Sequence, residues 1–221
     1  MKNISELYER EQHPVKFLQI GEGNFLRAFV DYAIDVANEE NDFDANVAVV
    51  MPRAKKNERF ARQNNLYTVA LRGQKAGKPY KENRVIKCID SVIGAYADYE
   101  AFMKLAECET LKFVVSNTTE AGIVYDASDK FTDCPPKTFP AKLTKLVWTR
   151  YEYFAGSQEK GLVMLPVELI DHNGETLKKC VKQYAELWQL EANFIKWLDE
   201  ACIFASTLVD RIVAGFPHSD I

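Results

Sequence analysis

The chain has 221 residues, of which 47% are apolar and 27% are charged, and its formal net charge is −4. This length accommodates one sizeable core, and the acidic balance, with no basic run, argues against a nucleic-acid binder. No apolar stretch approaches the roughly 18 residues of a membrane span, and the polar N-terminus has no signal core, so we expect a cytoplasmic protein without membrane contact.

The metal-binding and redox residue types are scattered along the chain. No two cysteines are separated by only two or three residues, which excludes a local zinc knuckle or redox pair and predicts reduced, mostly buried thiols. We therefore expect no metal site. The residues concerned are Cys88, Cys108, Cys134, Cys180, Cys202, His13, His172 and His218.

A strand, a glycine turn and a helix stand near the N-terminus. Residues 15–20 predict a buried strand, Gly21 and Gly23 follow at once, and apolar spacing predicts a helix that starts near Asn24. Gly21 permits a tight turn, and Gly23, which has no Cβ, lets a pyrophosphate approach the positive end of the helix. The third glycine of the dinucleotide fingerprint is absent, because Leu26 stands there. A glycine-rich turn with no ligand is the alternative.

The second strand is predicted at residues 46–51, after a polar loop at residues 39–42. In a dinucleotide fold the end of this strand faces the adenosine ribose, where an acidic residue would indicate NAD. Arg53 follows the strand instead. It could pair with a 2′-phosphate, stack on adenine or be a solvated loop charge, so the local sequence leaves NAD and NADP open.

The next segment departs from a plain alternation of strands and helices. Residues 66–73 and 84–89 read as two strands joined by a polar loop at 74–79, with Gly77 in the turn. This predicts a long antiparallel hairpin. Asp98 is placed to cap a helix that follows it.

A polar cluster follows the next predicted strand, residues 111–116. In open α/β sheets, ligands bind outside the carboxyl ends of the strands. The cluster at 117–122, which includes Thr119 and Glu120, therefore falls where a nicotinamide ribose or a substrate would lie. The alternative is a helix cap formed by Thr118 or Thr119.

The C-terminal half continues with helices and one strand. A helix is predicted from Thr138, and residues 161–166 predict a short buried strand. After a loop at 167–174, one helix is expected to start at Asn173-Gly174 and another to run over residues 191–204. Together the elements predict an α/β fold, namely a Rossmann-like, doubly wound, mainly parallel sheet with an antiparallel hairpin extension and C-terminal helices.

Three stretches together resemble the polyol (mannitol) dehydrogenase family of long-chain dehydrogenases, and within it the altronate oxidoreductase (tagaturonate reductase) branch. They are residues 21–29, residues 116–122 and residues 207–212, the last similar to the specific Val-Asp-Arg-Ile signature of the family. The loop 168–174 is also closer to the uronate branch. The resemblance spans residues 17–217, nearly the whole chain.

The resemblance implies an NAD-dependent hydride transfer that interconverts tagaturonate, a small sugar acid, and altronate in hexuronate catabolism, without a catalytic zinc. By position in the family's motifs, Gly21, Gly23, Asn24 and Phe25 would line the dinucleotide. Thr119 and Glu120 would lie near the nicotinamide ribose, and Glu168 and Asp210 would face the substrate.

The chain departs from the family in length. Family members are about twice as long, and their catalytic Lys, Asn and His come from a helical second domain that begins beyond residue 221. The Lys-x-x-x-x-Asn-x-x-His pattern is absent here. Residues 1–221 therefore read as one NAD(P)-binding Rossmann-type domain without its own catalytic residues. We expect it to bind nucleotide and, by itself, to turn over poorly or not at all.

Three alternatives stay open at this level. A Rossmann module that senses nucleotides without chemistry would carry the same glycine turn. A methyltransferase also has a glycine-rich turn after its first strand, although residues 117–122 and 209–212 count against it. A dehydrogenase of fructuronate or of a mannitol-type substrate is the third.

Overall fold

The computed structural model describes residues 2–53, 58–119 and 121–216, apart from the side chain of Arg59. The helices in this part of the chain are α1 (Asn24–Asn41), α2 (Glu58–Arg62), α3 (Tyr99–Lys104), α4 (Phe139–Tyr153), α5 (Asn173–Leu187) and α6 (Ala192–Glu200). The strands are β1 (Val15–Ile20), β2 (Asn46–Met51), β3 (Tyr67–Lys75), β4 (Lys78–Ile86), β5 (Ile89–Gly94), β6 (Phe113–Ser116), β7 (Val163–Pro166) and β8 (Ile203–Phe204).

The main sheet has six strands in the order β5-β2-β1-β6-β7-β8, and all its pairs are parallel. Numbered within this sheet alone, the order is 3-2-1-4-5-6, which is the doubly wound order of dinucleotide-binding folds. The order reverses between β1 and β6. The predicted Rossmann-like fold is therefore confirmed.

The core lies on both faces of this sheet because successive strand residues point to opposite sides. Phe17 of β1 belongs to the cluster that packs under α1 and the hairpin, whereas Leu18 belongs to the cluster under α4, α5 and α6. All six residues of β2 are buried, as expected for a strand covered on both faces. Among the described residues, no helix is long and apolar enough to cross a membrane.

The antiparallel hairpin is confirmed, but its loop is shorter than predicted. Strands β3 and β4 pair in register from Tyr67–Ile86 to Lys75–Lys78. Only Ala76 and Gly77 remain in the turn, with φ of 52° and 74°. Two successive positive φ values are typical of the type I′ turn, whose twist matches that of the strands it joins. The polar residues predicted as loop therefore pair as strand.

The predicted strand 84–89 proves to be parts of two strands in different sheets. It contains the end of β4 and the start of β5, and the break falls at Lys87 and Cys88. There the Lys87 N–H donates to the Asp35 carboxylate of α1 at 2.6 Å. The Cys88 carbonyl accepts from the Val47 N–H at 2.9 Å, so the chain leaves the hairpin and joins the parallel sheet.

Two other predicted boundaries were wrong. The predicted loop 39–42 is mostly helical, because α1 runs to Asn41; in its last turns the Asn38 side chain exchanges hydrogen bonds with backbone atoms of Ala45 at 2.8 and 3.0 Å. The helix predicted over 191–204 ends at Glu200, because the following chain joins the sheet as β8, where the Ile203 N–H donates to the Leu162 carbonyl at 3.0 Å.

A buried arginine fastens the helical layer to the sheet. Arg150 of α4 is 0% exposed. Its guanidinium donates to four backbone carbonyls at distances of 2.8–3.1 Å, three of them in the stretch 106–111 before β6 and one shortly before β7. The four carbonyls belong to Ala106, Cys108, Leu111 and Lys160.

Candidate functional site

The carboxyl ends of β1, β2 and β6 meet at one edge of the main sheet. Ile20 is in register with Val50 of β2 and with Ser116 of β6. The Gly21 N–H donates to the Val50 carbonyl at 2.9 Å, and the Asn117 N–H donates to the Ile20 carbonyl at 3.1 Å. The glycine turn and the polar cluster thus lie side by side where the strand order reverses, which is the usual ligand position of this architecture.

The glycine turn has the form that the sequence predicted. Gly21 has a φ of 121°, and a Cβ there would lie 3.0 Å from the Asn117 carbonyl oxygen, so a larger residue is strained and crowded. Gly23 is the N-cap of α1, and a Cβ there would meet nothing within 4 Å. Asn24 is exposed and Phe25 half-buried in the first turn.

The N-terminus of α1 is open. The N-cap residue Gly23 has no side chain that could accept a hydrogen bond from the first turn, and that turn contains no acidic residue. The first N–H groups of a helix have no intrahelical acceptor and carry partial positive charge. This end of α1 is therefore chemically suited to an anion.

Arg27 adds a full positive charge at this point, a feature the sequence analysis did not single out. Its guanidinium lies over the rings of Phe60 and Tyr67, at 5.5 and 5.6 Å from their centroids, and donates to the Asn24 carboxamide oxygen. Its buried Nε has no hydrogen-bond acceptor in the described part of the chain. Among the described residues, no carboxylate lies within 4.0 Å to form a salt bridge with Arg27. In the sequence, Arg27 could have been identified by its position four residues after Gly23, one turn into the predicted helix.

A buried polar cluster supports the glycine turn from below. Gln19 is fully buried in β1, and its side-chain N–H donates to the Gly21 carbonyl at 3.1 Å. On the same face, Asp31 of α1 is 0% exposed and accepts from the Tyr67 hydroxyl at 2.6 Å. Burial raises the pKa of Asp31 to about 7, against the lowering effect of the Tyr67 hydrogen bond. In the sequence, Gln19 interrupts the apolar run of the first strand and Asp31 interrupts the apolar spacing of the first helix.

Arg53 lies exposed in the loop after β2, at the same edge of the sheet. The nearby Lys142 of α4 is buried, and its ammonium lies 5.0 Å from the ring centroid of Tyr96, which follows β5. Desolvation, together with a smaller effect of the Arg53 charge, lowers the pKa of Lys142 to about 8 against the raising effect of Asp129. Two cations and an exposed aromatic ring therefore surround the ends of β2 and β5.

The cluster after β6 borders an open cleft. The cleft has a volume of about 410 Å³. Its lining consists of Asn117, Thr119, Ala121, Glu168 and Leu169. The alternative interpretation as a helix cap is wrong, because α4 is the next helix in the described part of the chain and Thr138 caps it. Glu120 lies outside the described residues.

Glu168 lies at the wall of this cleft, but its carboxylate turns inward. The residue is 2% exposed. One oxygen accepts from the Ser116 hydroxyl at 3.0 Å, and the other accepts from the Thr118 N–H and hydroxyl at 3.0 and 2.9 Å. The side chain therefore joins the loop after β7 to the end of β6.

Asp210 is exposed on the C-terminal segment 205–216, which runs past the same edge of the sheet. Val209 packs on the small cluster that contains Leu26 of α1, and the Arg211 guanidinium lies 5.4 Å from the Tyr32 ring centroid. Asn173, 0% exposed, holds the start of this segment, since its amide exchanges hydrogen bonds with the Thr207 backbone at 2.9 and 3.2 Å. Asp210 is thereby placed beside α1.

The predicted site residues therefore assemble in part. Gly21, Gly23, Asn24 and Phe25 form the turn and the first turn of α1, and Thr119 and Glu168 line the adjoining cleft. Arg53 and Asp210 lie at the same edge but outside the residues that line the cleft. Across the described ranges, no three His, Cys, Asp or Glu side chains gather as a metal site.

Comparison with known proteins places this geometry in a family. Residues 15–220 match the mannitol dehydrogenase Rossmann domain. The altronate oxidoreductase of Bacillus subtilis (strain 168) is 49% identical over 221 residues, which are 100% of this chain and 46% of that protein. The altronate oxidoreductase of Klebsiella pneumoniae (strain 342) is 49% identical over 212 residues, or 95% of this chain and 44% of that protein. The chain thus spans about half the length of these curated relatives.

Two solved structures share the fold. Mannitol 2-dehydrogenase of Pseudomonas fluorescens, in a ternary complex with NAD and D-mannitol, gives a TM-score of 0.75 at 22% identity, over 91% of this chain and 42% of that one. A substrate-free D-sorbitol dehydrogenase gives 0.67 at 20% identity, over 87% and 41%. Since the family match covers nearly all of the sequence and the strand order agrees with it, the chain belongs to the mannitol dehydrogenase Rossmann-domain family.

Proposed function

We propose that this chain is the NAD-binding part of an oxidoreductase that interconverts tagaturonate and altronate by hydride transfer. The single observation that carries the proposal is the open Gly21–Gly23 turn, which leads into the uncapped N-terminus of α1 at the point where the strand order reverses. The names of the relatives at 49% identity support the substrate pair.

The residues present fit a dinucleotide. The free space at Gly23 and the unused N–H groups of α1 suit a pyrophosphate, and Arg27 supplies a charged donor beside them. Arg53 and Tyr96 flank the strand ends that suit the adenosine, and Thr119, with Glu120, would border the nicotinamide ribose. Bound NAD would supply the hydride acceptor, while the chain's own residues bind and orient.

The sugar acid and the remaining catalytic groups belong to the same proposal. Asp210 would face the substrate from the segment beside α1, and Glu168 lies at the wall of the cleft with its carboxylate turned to Ser116 and Thr118. Residues 1–221 would form one domain, and the Lys, Asn and His of the family would come from the further length that the relatives have. Leu208 and Ile212 are 97% and 94% exposed, which suits contact with such a second domain.

We also place the reaction in the cytoplasm as part of this proposal. The state of the cysteines supports this location. All five cysteines are unpaired thiols, and three of them are buried, as is usual for proteins of reducing compartments.

The substitution Gly23→Asp tests cofactor binding. We expect it to preserve or raise stability, because an added side chain meets nothing within 4 Å and Asp is a favourable N-cap. It should nevertheless weaken NADH binding at least tenfold, because the carboxylate occupies the pyrophosphate position and repels it. Calorimetric titration with NADH, together with thermal unfolding, measures both effects.

The matched control is Gly73→Asp in the hairpin, where a Cβ also meets nothing within 4 Å. It should leave NADH affinity unchanged. Equal NADH affinity of Gly23→Asp and the unsubstituted chain would contradict the proposal. A parallel NADPH titration addresses Arg53: tighter binding of NADPH than of NADH would make Arg53 a 2′-phosphate ligand and overturn the choice of NAD.

A further inference from the structure

The cleft beside the glycine turn contains a strained residue. Thr119 has a φ of 85°, in the left-handed region. A β-branched residue is a genuine outlier there, and such conformations persist only where the surroundings over-determine them. Thr119 lines the cleft, so the outlier lies at the candidate site itself.

The surroundings restrain this residue from both sides. Upstream, Thr118 gives both its N–H and its hydroxyl to Glu168, at 3.0 and 2.9 Å. Downstream, the Gly122 N–H donates to the Thr119 carbonyl at 2.9 Å. A Cβ on Gly122 would lie 1.9 Å from the Thr118 hydroxyl oxygen, so only glycine permits this close turn.

The carboxylate that holds Thr118 is unusual. Glu168 is 2% exposed, and its two oxygens accept three hydrogen bonds from neutral donors. Within the described ranges, no Lys, Arg or His lies within 4.0 Å of this carboxylate as a salt-bridge partner. Burying a carboxylate without a countercharge is expensive. An apolar residue would fill this position without that cost. The geometry therefore favours a role in which the carboxylate oxygens of Glu168 accept the hydrogen bonds of Ser116 and Thr118.

We infer that Glu168 is a positioning residue, which fixes Thr118 and thereby holds the strained Thr119 against the nicotinamide end of the cofactor. This inference rests on the proposed function and reassigns Glu168 from direct substrate contact to preorganisation of the cleft. Glu168 touches neither cofactor nor substrate in this role. It acts through the backbone of residues 117–119.

The first test is Glu168→Ala, titrated with NADH and with ADP. ADP shares the adenosine and pyrophosphate with NADH but lacks the nicotinamide ribose. We expect NADH binding to weaken about tenfold and ADP binding to change less than twofold. Glu168→Gln, which keeps one acceptor oxygen for Thr118, should recover most of the NADH affinity. The exposed Glu159→Ala is the matched control and should change neither.

The second test is a double-substitution cycle with Thr119→Gly. Glycine accepts the positive φ, so this variant should raise the Tm by a few degrees while it weakens NADH binding. If Glu168 acts through Thr119, Glu168→Ala should cause little further loss of NADH affinity in the Thr119→Gly background. A merely structural role predicts losses that multiply.

The outcomes separate this inference from the proposed function. If the unsubstituted chain binds neither NADH nor ADP, the proposed function fails. Suppose that it binds both. The inference is then wrong if Glu168→Ala weakens NADH and ADP binding equally, or if the losses of NADH affinity from Glu168→Ala and Thr119→Gly multiply in the double variant. Should Glu168→Ala not fold, Thr118→Val removes one of the three bonds to Glu168 and should weaken NADH, but not ADP, about threefold. Unchanged NADH binding by Thr118→Val would then overturn it.

Discussion

Asp31, which lies under the glycine turn, makes the stability of the fold depend on pH. It is fully buried on the face that Gln19 and Tyr67 share, and one of its carboxyl oxygens has no hydrogen-bond partner among the residues that the structure describes. A buried acid that keeps its proton avoids the cost of burying a charge. The folded chain therefore holds the Asp31 proton to a higher pH than the unfolded chain does.

The substitution Asp31→Asn should change the pH dependence of stability. The folded pKa of about 7 lies above the ordinary 3.8. The stability contributed by protonated Asp31 is therefore fully present below about pH 4, falls as the pH rises, and is gone above about pH 7. The total is on the order of 4 kcal/mol. Asn carries no charge, so the stability of Asp31→Asn relative to the unsubstituted chain should increase between pH 4 and pH 8.

Urea denaturation of both proteins at several pH values measures this difference. Comparing the two proteins cancels the titration of groups that they share, including Asp35, whose pKa is also raised, and Glu11, whose pKa is lowered. Parallel stability curves across pH 4 to 8 would show that Asp31 does not titrate in this range.

Arg150 is expected to contribute strongly to stability, because it is 0% exposed and every nitrogen of its guanidinium donates a hydrogen bond. Replacing it with Met keeps most of the side-chain volume but leaves four backbone carbonyls, two of them in buried and two in half-buried hydrogen bonds, without their donor. Each unsatisfied buried polar group costs about 1–3 kcal/mol, and partial relaxation reduces the sum, so we expect a loss of about 4 kcal/mol. Chemical denaturation of Arg150→Met measures it. The exposed Arg62→Met is the control and should stay within about 0.5 kcal/mol.

At the scale of elements, Gly161 explains why α6 is shorter than its apolar pattern predicted. A Cβ at Gly161 would lie 2.0 Å from the Ala201 carbonyl oxygen. The chain that leaves α6 thus crosses directly over the start of β7 before it pairs as β8. The close crossing, rather than any local signal at residues 201–204, ends the helix.

The substitution Gly161→Ala should therefore destabilise the β7–β8 edge. Backbone movement at Ala201 is needed to admit the methyl group, and overpacking of this kind costs about 1–3 kcal/mol. Gly73→Ala, which meets nothing within 4 Å, is the control. Hydrogen exchange at the Ile203 and Ala205 amides, which donate to Leu162 and Met164, should accelerate in Gly161→Ala alone. Unchanged protection of both amides would show that the close contact between Gly161 and Ala201 does not hold the β7–β8 edge.

Elements that carry their own signal were predictable from the sequence. The apolar run of β2, the Asp98 cap, the helix that runs from Thr138 and the glycine turn are local features, and the structure confirms each. The break before β5 and the existence of β8 were missed, because each depends on a partner distant in sequence. Asp35 accepts from Lys87 across 52 residues, and β8 pairs with β7.

Local sequence order also decided which residues of the site were predictable. Gly21 and Gly23 follow a strand directly, so local order revealed them. The inward turn of Glu168 depends on Ser116 and Thr118, which lie about 50 residues earlier in the chain. Tyr67 reaches Asp31 from the hairpin, across 36 residues. Sequence patterns identify the residues that end a strand, but not the buried hydrogen bonds among them.

At the scale of the whole molecule, one edge of the sheet gathers the candidate binding features. The open N-terminus of α1, the cleft beside Thr119 and the C-terminal segment with Asp210 all lie at the carboxyl ends of the parallel strands. The opposite edge contributes none of the predicted site residues. The predicted site residues are thus confined to the carboxyl ends of the parallel strands.

The amide of Asn173 has a mechanical consequence for this arrangement. It holds the carbonyls of Pro166 and Glu168 at 3.0 Å and grips the Thr207 backbone at 2.9 and 3.2 Å. Thr207 is thereby a fixed pivot, tied through Asn173 to the loop that follows β7. Asp210 stands three residues beyond that pivot. Because an extended chain advances at most ~3.6 Å per residue, the Asp210 Cα cannot lie more than about 11 Å from the Thr207 Cα.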